Sequence, residues 1–304
     1  LKDLVLLVYS TLDEDREYLV KLFTDLDKVP IYAQSVKWHN TFFSASNIAC
    51  YPETCIIFRP EYNPGNLQFL KGKGYLLDSY PSTLELVKDK PSLFITLGNE
   101  IDTLPFFSST IPNTKYLVDY DTDKELPILD STKIAEWQKN HLLSPLEVDL
   151  DKTWFPTIEI YTFLGEVVGS LYKFYKYDKT ILYCPEGSRY KEAIRITSQY
   201  TRTIKYEEPS KEEKKEIIEL SKELEVNRKD LEGIAKLLVN KIMLGNGVVD
   251  LFIKDSTFYL LDIDPTRMNS LKYFLDSKTY HQKMSSIFFQ KLNSEEGWVV
   301  EEEE

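Results

Sequence analysis

GVVDLFIKDSTFYLLDIDPTR, residues Gly247 to Arg267, reads as a β-hairpin that carries three carboxylates. Asp250 sits on the first strand, and Asp262 and Asp264 sit two residues apart on the second. Strand side chains alternate faces with a period of two, so Asp262 and Asp264 project together while Ile263 turns the other way. The turn at Lys254 to Thr257 folds the strands back and can bring Asp250 alongside that pair. Carboxylates on one sheet face repel unless positive charge sits among them. The natural guest is a hard divalent cation, which takes oxygen ligands and often brings phosphates with it. Pro265 ends the strand because it cannot donate to a ladder, and Arg267 follows within reach of anything the metal holds. The plainer alternative is a surface hairpin with solvated acids. The apolar run Phe258 to Leu261 favours a buried strand instead.

A chain of 304 residues holds two domains, or one domain with a large insertion. At 42% hydrophobic and 13% aromatic it can bury a substantial core. No apolar run approaches the length of a bilayer span, so no membrane partner is expected. The start, LKDLVLLVYS, reads as a short apolar strand without the basic leader and small-residue cleavage site of a signal peptide, which makes a cytoplasmic location the expectation. A net charge of −12 speaks against a nucleic-acid partner. Cys50, Cys55 and Cys184 form an odd set that fits reduced thiols. Cys50 and Cys55 have no second pair to complete a zinc site. Abundant Lys, Glu, Ile and Tyr with little Gly give an archaeal or thermophile-like composition.

Residues 1–89 alternate strand and helix, which predicts a parallel, Rossmann-like sheet. Strands are expected over 4–9, 29–36, 54–58 and 74–78, with helices over 13–26, 66–71 and 82–89. Residues 90–150 hold short apolar pieces between polar turns and one helix through Lys139, a small α+β unit. From 151 to 304 the strands lengthen. Thr157 to Phe163 and Glu166 to Tyr175 form a hairpin around Leu164-Gly165, and Thr180 to Tyr183 is another strand. Ser210, with Glu213 three residues on, is a capping box that opens a charged helix to Leu224. A second helix runs from Leu231 to Leu244 and stops at Gly245. A closing helix spans 280–292.

This order resembles the ATP-grasp superfamily, and most closely the amino-acid ligases that act like the ribosomal protein S6 glutamate ligase. Four passages carry the resemblance. They are FRPEYN (58–63), GKGYLLDSYPSTLELVKDK (72–90), TIEIYTFLGEVVGSLYKF (157–174) and the acidic hairpin. The third is similar to the strand pair that opens the large ATP-grasp subdomain, the fourth to the family's metal signature of Asp, Glu and Asn. The resemblance implies a Rossmann-like pre-ATP-grasp domain over 1–89, a reduced lid subdomain over 90–150 and a large subdomain over 151–304. It implies Mg2+ held by Asp250, Asp262 and Asp264 against ATP phosphates. Here Asp replaces the family's Glu at 262, shortening the arm, and replaces Asn at 264, adding a charge. Lys90 stands where the family has a phosphate-contacting lysine, Glu147 near the adenine hinge, and Arg267 where an Arg can neutralise phosphate or acyl-phosphate oxygens. Arg59, Arg189 and Arg195 stand on the side of the carboxylate substrate.

The implied activity is an ATP- and Mg2+-dependent carboxylate–amine ligase working through an acyl phosphate. Its partners would be small-molecule carboxylate and amine substrates, and a homodimer stays open. One departure supports a different reading. No glycine occurs between Gly98 and Gly165, although the family covers ATP there with a glycine-rich loop whose backbone N–H groups cradle phosphates. The alternative is therefore a degenerate relative that binds a nucleotide or metabolite without turnover. A small-molecule kinase ranks third, because the chain lacks the basic residues a polyphosphate substrate needs. The histidines, His39, His141 and His281, lie far apart in sequence and suggest no metal cluster or triad.

Overall fold

The computed structural model describes residues 4–8, 31–35, 38–39, 42–43, 54–58, 76–77, 81–103, 117–119, 143–145, 154–176, 179–186, 189–197, 202–254, 257–265, 271 and 274–292. The expected helices over 13–26, 66–71 and 131–139 lie outside these residues.

The chain begins with β1 (Leu4–Val8), β2 (Ile31–Ser35), a two-stranded antiparallel pair of β3 (Trp38–His39) and β4 (Phe42–Phe43), then β5 (Thr54–Phe58) and β6 (Leu76–Leu77). Strands β2, β1, β5 and β6 lie in that order, every neighbour parallel. The apolar runs LVLLV and TCIIF suit this arrangement, since parallel strands are covered on both faces and need no alternation.

Two short helices follow, α1 (Pro81–Lys88) and α2 (Lys90–Leu97). Where the sequence offers only short apolar pieces after residue 90, the second is a regular helix. Proline in its first turn lacks only an N–H that the helix would leave unused. Leu93, Phe94 and Leu97 then fall on one buried face while Ile95 stands out in solvent. Thr83 of α1 donates to the Ile242 carbonyl at 2.5 Å.

Strand β7 (Asp102–Thr103) comes next, then an antiparallel pair of β8 (Leu117–Asp119) and β9 (Leu143–Pro145). The large sheet is built from β10 (Phe155–Phe163), β11 (Glu166–Lys176), β12 (Lys179–Cys184), β13 (Arg189–Thr197), β14 (Arg202–Glu207), β15 (Gly247–Lys254) and β16 (Thr257–Asp264). With β7 it runs β14-β13-β12-β11-β10-β15-β16-β7, antiparallel except for the β16–β7 edge. Neither β13 nor β14 was expected from the sequence, because RYKEAIRIT and RTIKYE are too charged to read as buried strands.

Between β14 and β15 runs α3 (Lys211–Lys241), one helix of 31 residues where two were expected. Leu224, Leu231, Ala235 and Leu238 keep one buried stripe across the polar stretch at 225–230, and Gly233 alone is too mild a breaker to end it. Its start is the expected capping box. The Ser210 hydroxyl accepts from the Glu213 N–H at 3.2 Å, and the Glu213 carboxylate accepts from the Ser210 N–H at 2.9 Å. The last helix is α4 (Ser277–Leu292). Among the described residues no helix is long and apolar enough to cross a membrane.

Helix α3 covers one face of the large sheet. Ile158, Ile160, Tyr172, Phe174, Val249 and Leu251 are buried on the sheet side, and Ile217, Leu224, Leu231 and Leu238 on the helix side. Each such aliphatic side chain contributes roughly 1.5–3 kcal/mol through burial. Polar bonds fix how the layers sit. Trp154 Nε1 donates to Glu216 at 2.8 Å, Ser170 to Glu232 at 3.2 Å, and the Tyr172 hydroxyl to Glu225. Burial, helped by that glutamate, pushes the Tyr172 phenol well above the ordinary tyrosine range. At the end of the layer, the β10–β11 turn is tied to the end of α3. Leu164 and Gly165 both have positive φ, 53° and 73°. Asn240 donates to the Gly165 carbonyl at 3.0 Å, and Asn246 accepts from the Leu164 N–H at 3.3 Å.

Candidate functional site

With one face of the sheet given to α3, the other carries the acidic side chains of β10, β15 and β16. Residues directly opposite each other in a ladder project from the same face. Asp250 of β15 stands opposite Asp262 of β16, and on its other side opposite Glu159 of β10. Asp262, Asp250 and Glu159 therefore form one row across three adjacent strands. Asp264 lies on the same face, opposite Val248. Asp250 is 8% exposed and Glu159 4%, whereas Asp262 and Asp264 are half-buried.

A bulge makes this row possible. The ladder passes from Asp250–Asp262 to Leu251–Leu260, so Leu261 is an extra residue on β16. Without it Leu260 would share a face with Asp262, two residues away. With it, Leu260 and Ile263, both fully buried, turn into the core while the two aspartates turn outward together.

The row continues into a buried ion pair. Lys173 of β11 donates to Glu159 Oε1 at 2.7 Å, and the Tyr161 hydroxyl donates to Glu159 Oε2 at 2.6 Å. Lys173, 7% exposed, also stands over the Tyr175 ring at 4.9 Å. Directly opposed side chains sit ~5 Å apart, where two like unit charges repel by about 3 kcal/mol at an effective dielectric near 20. Lys173 answers the charge of Glu159. A cation bound at the Asp250–Asp262 pair would reduce the repulsion between them.

The opposed pair Asp250–Asp262 offers carboxylate oxygens, the donor type a hard cation takes. Among the described residues no three His, Cys, Asp or Glu side chains close round a single point. Mg2+ in general keeps waters and is held by one or two carboxylates together with substrate phosphates.

Of the other residues singled out in the sequence, Lys90 opens α2, immediately after Asp89. Arg189 is exposed at the start of β13, and Arg195 lies on β13 opposite Ile204. Arg59, Glu147 and Arg267 lie outside the described residues. The sequence reading missed Glu159, Tyr161 and Lys173. Their signal was present: charges in the apolar contexts TIEIY and LYKFY, on strands already recognised as a hairpin.

No protein-family model matches the sequence, and no curated protein matches it. Solved structures do. The D-alanine–D-alanine ligase from Bacillus anthracis superimposes with a TM-score of 0.57 at 11% identity, covering 96% of this chain and 98% of that one. The ATP-grasp ligase PsnB, complexed with a minimal precursor, gives 0.55 at 10% identity, over 95% and 100%. A RimK domain ATP-grasp protein from Sphaerobacter thermophilus gives 0.56 at 10% identity, over 94% and 99%. Others in this set hold ATP, or Mg and ADP. The fold of this chain is the ATP-grasp fold.

Proposed function

We propose that this ATP-grasp chain is an ATP- and Mg2+-dependent carboxylate–amine ligase. The observation that carries the reading is the opposed pair Asp250–Asp262, with Asp264 on the same sheet face, in a fold whose solved examples include ligases with ATP or Mg and ADP bound. In the proposed reaction a substrate carboxylate attacks the γ-phosphate of ATP to give an acyl phosphate and ADP, and an amine then displaces the phosphate. Asp250, Asp262 and Asp264 would line the site for Mg2+, one or two of their carboxylates to an ion with ATP phosphates completing its shell, and the metal would supply neutralisation of the phosphate charge. Asp250 is set by the β15 ladder on both sides, so its position is fixed by backbone pairing rather than by a loop. Lys90 would contact the phosphates, Glu147 the adenine, and Arg267 the oxygens that gain charge at the transferred phosphoryl group. Arg59, Arg189 and Arg195 would receive the substrate carboxylate. The same proposal includes a Rossmann-like domain over 1–89, a reduced lid over 90–150, the large subdomain over 151–304, and a cytoplasmic site of action.

The test is ADP release from Mg2+·ATP across a panel of amino acids and peptides, with hydroxylamine as a general amine acceptor. Stoichiometric hydroxamate and ADP, dependent on the carboxylate, are expected. The glycine-free span between Gly98 and Gly165 favours a second reading, a nucleotide-binding protein without turnover. That reading predicts Mg2+·ATP-dependent thermal stabilisation and no ADP. Neither ADP nor stabilisation would reject both.

A further inference from the structure

The outer face of α3 sorts its charges. Ile217, Leu224, Leu231, Ala235 and Leu238 are buried against the sheet, and the opposite side of the helix stands in solvent. Val226, near the middle of that side, is 82% exposed. Among the described residues four large hydrophobic side chains are exposed, and Ile218, Val226 and Leu237 of α3 are three of them. At ~100° per residue, Gly233 and Leu237 fall within about 20° of Val226 and continue its line. Lys215, Lys222 and Lys229, all exposed, run along one edge of that line, within roughly 60° of it. Glu219, Glu223 and Asp230, also exposed, run along the other edge within a similar angle of roughly 60°. Exposed charges away from these edges are answered inside the protein: Glu216 by Trp154, Glu225 by Arg228 and Tyr172, Lys236 by Glu166, Lys241 by Glu100. Between the edges Lys222 reaches Glu219 at 2.6 Å, both side chains 65% exposed. Such a pair contributes only ~0.2–0.5 kcal/mol, and it needs opposite charges three or four residues apart without regard to edge, so it does not account for the sorting.

We propose that this face of α3 pairs with the same face of a second copy of the chain, the two helices parallel and in register about a two-fold axis. The orientation follows from the charges. In a parallel pair each edge meets the opposite edge of the partner helix, so lysines meet carboxylates on both sides. In an antiparallel pair each edge meets itself, and like charges face each other along the whole contact. Val226, Gly233 and Leu237 form the line of closest approach, and at Gly233 an added Cβ would meet nothing within 4 Å, so the face is open there. With so short an apolar line the association is a reversible one, and charge rather than buried area selects the partner. The inference is independent of the ligase reading.

The experiment is sedimentation velocity of the full chain over a range of concentrations, in about 0.1 M and about 1 M salt, where the Debye length is ~10 Å and ~3 Å. A dimer that weakens at the higher salt is expected, and a single-chain mass at every concentration in the lower salt overturns the proposal. Lys215→Glu, Lys222→Glu and Lys229→Glu together make both edges acidic, while Glu219→Lys, Glu223→Lys and Asp230→Lys together make both basic. Each triple variant alone should sediment as a monomer, and an equimolar mixture of the two should recover the dimer, because each then meets its complement. All six positions are exposed, so both variants are expected to fold. A triple variant that dimerises like the natural chain, or a mixture that stays monomeric, places the contact elsewhere and sinks the idea. Leu237→Cys reads the orientation. Parallel copies bring the two thiols together, and diamide cross-links them, whereas an antiparallel pair centred on Val226 holds them roughly 33 Å apart. With the natural chain as control, a dimer that fails to cross-link through Leu237→Cys refutes the parallel pairing.

Discussion

Asp250→Asn should make the metal-free protein more stable while removing its response to Mg2+·ATP. The asparagine keeps the shape of the side chain and deletes its charge. Asp250 has a carboxylate opposite it on each side, Glu159 and Asp262, and Lys173 already answers the first. Repulsion between Asp250 and the directly opposed Asp262 amounts to about 3 kcal/mol at ~5 Å and an effective dielectric near 20. Asp262 is half-buried, so solvent screening reduces this to roughly 1–2 kcal/mol. A domain of this size gains ~2–4 °C per kcal/mol, which predicts a Tm about 2–8 °C higher in EDTA. The natural protein, at a nucleotide concentration about 100 times Kd, should gain ~2.7 kcal/mol from Mg2+·ATP. That corresponds to roughly 5–11 °C, and the variant should show none of it. Differential scanning calorimetry at low ionic strength, with EDTA or with Mg2+·ATP, reads both quantities. Asp264→Asn is the internal control. Asp264 faces Val248 rather than a carboxylate, so its metal-free gain should be smaller. A lower Tm for Asp250→Asn in EDTA would show that the carboxylate is a structural acceptor, not a charge kept for a ligand. Persistence of the nucleotide shift would remove Asp250 from the metal site.

Two further outcomes test the frame that holds the row. Gly165→Ala places a Cβ 2.5 Å from Asn240 Oδ1 at a φ of +73°, and Asn240 is held by its own bonds to Gly165 and Lys236. A left-handed non-glycine residue costs ~1–2 kcal/mol, so thermal unfolding should begin several degrees earlier without change in Mn2+ affinity. Asp276 caps α4, accepting from the Thr279 hydroxyl at 2.6 Å and the Thr279 N–H at 2.9 Å. The hydroxyl bond, then the backbone bond, lower its carboxyl below the ordinary aspartate range. A depressed folded pKa gives stability that is present at neutral pH and lost as pH falls through that value. Asp276→Asn should therefore flatten the acid limb of a Tm-against-pH profile, and an unchanged limb would refute the cap.

The strands that matter were written in local pattern. LVLLV and TCIIF announce strands, which pair in parallel, and Thr157 to Tyr175 with Leu164-Gly165 between announces a hairpin whose turn needs positive φ. The capping box at Ser210 placed the start of α3 to the residue. Aspartates two apart on one strand had to share a face. By contrast, β13 and β14 were hidden because RYKEAIRIT and RTIKYE carry too many charges to read as strands, and their place beyond β12 is set by ladder pairing.

What the amino-acid order determined by itself is the set of carboxylates and the hairpin that carries them, since alternation and turn chemistry act over a few residues. What tertiary structure decided is their company. The extra residue at Leu261 separated Leu260 from Asp262, a matter of ladder register that period-two alternation cannot express. Docking β15 against β10 set Glu159 beside Asp250, across 91 residues of chain, and brought Lys173 with it. Long-range pairing depends on which faces α3 must cover, and that burial is a property of the whole sheet rather than of any one strand.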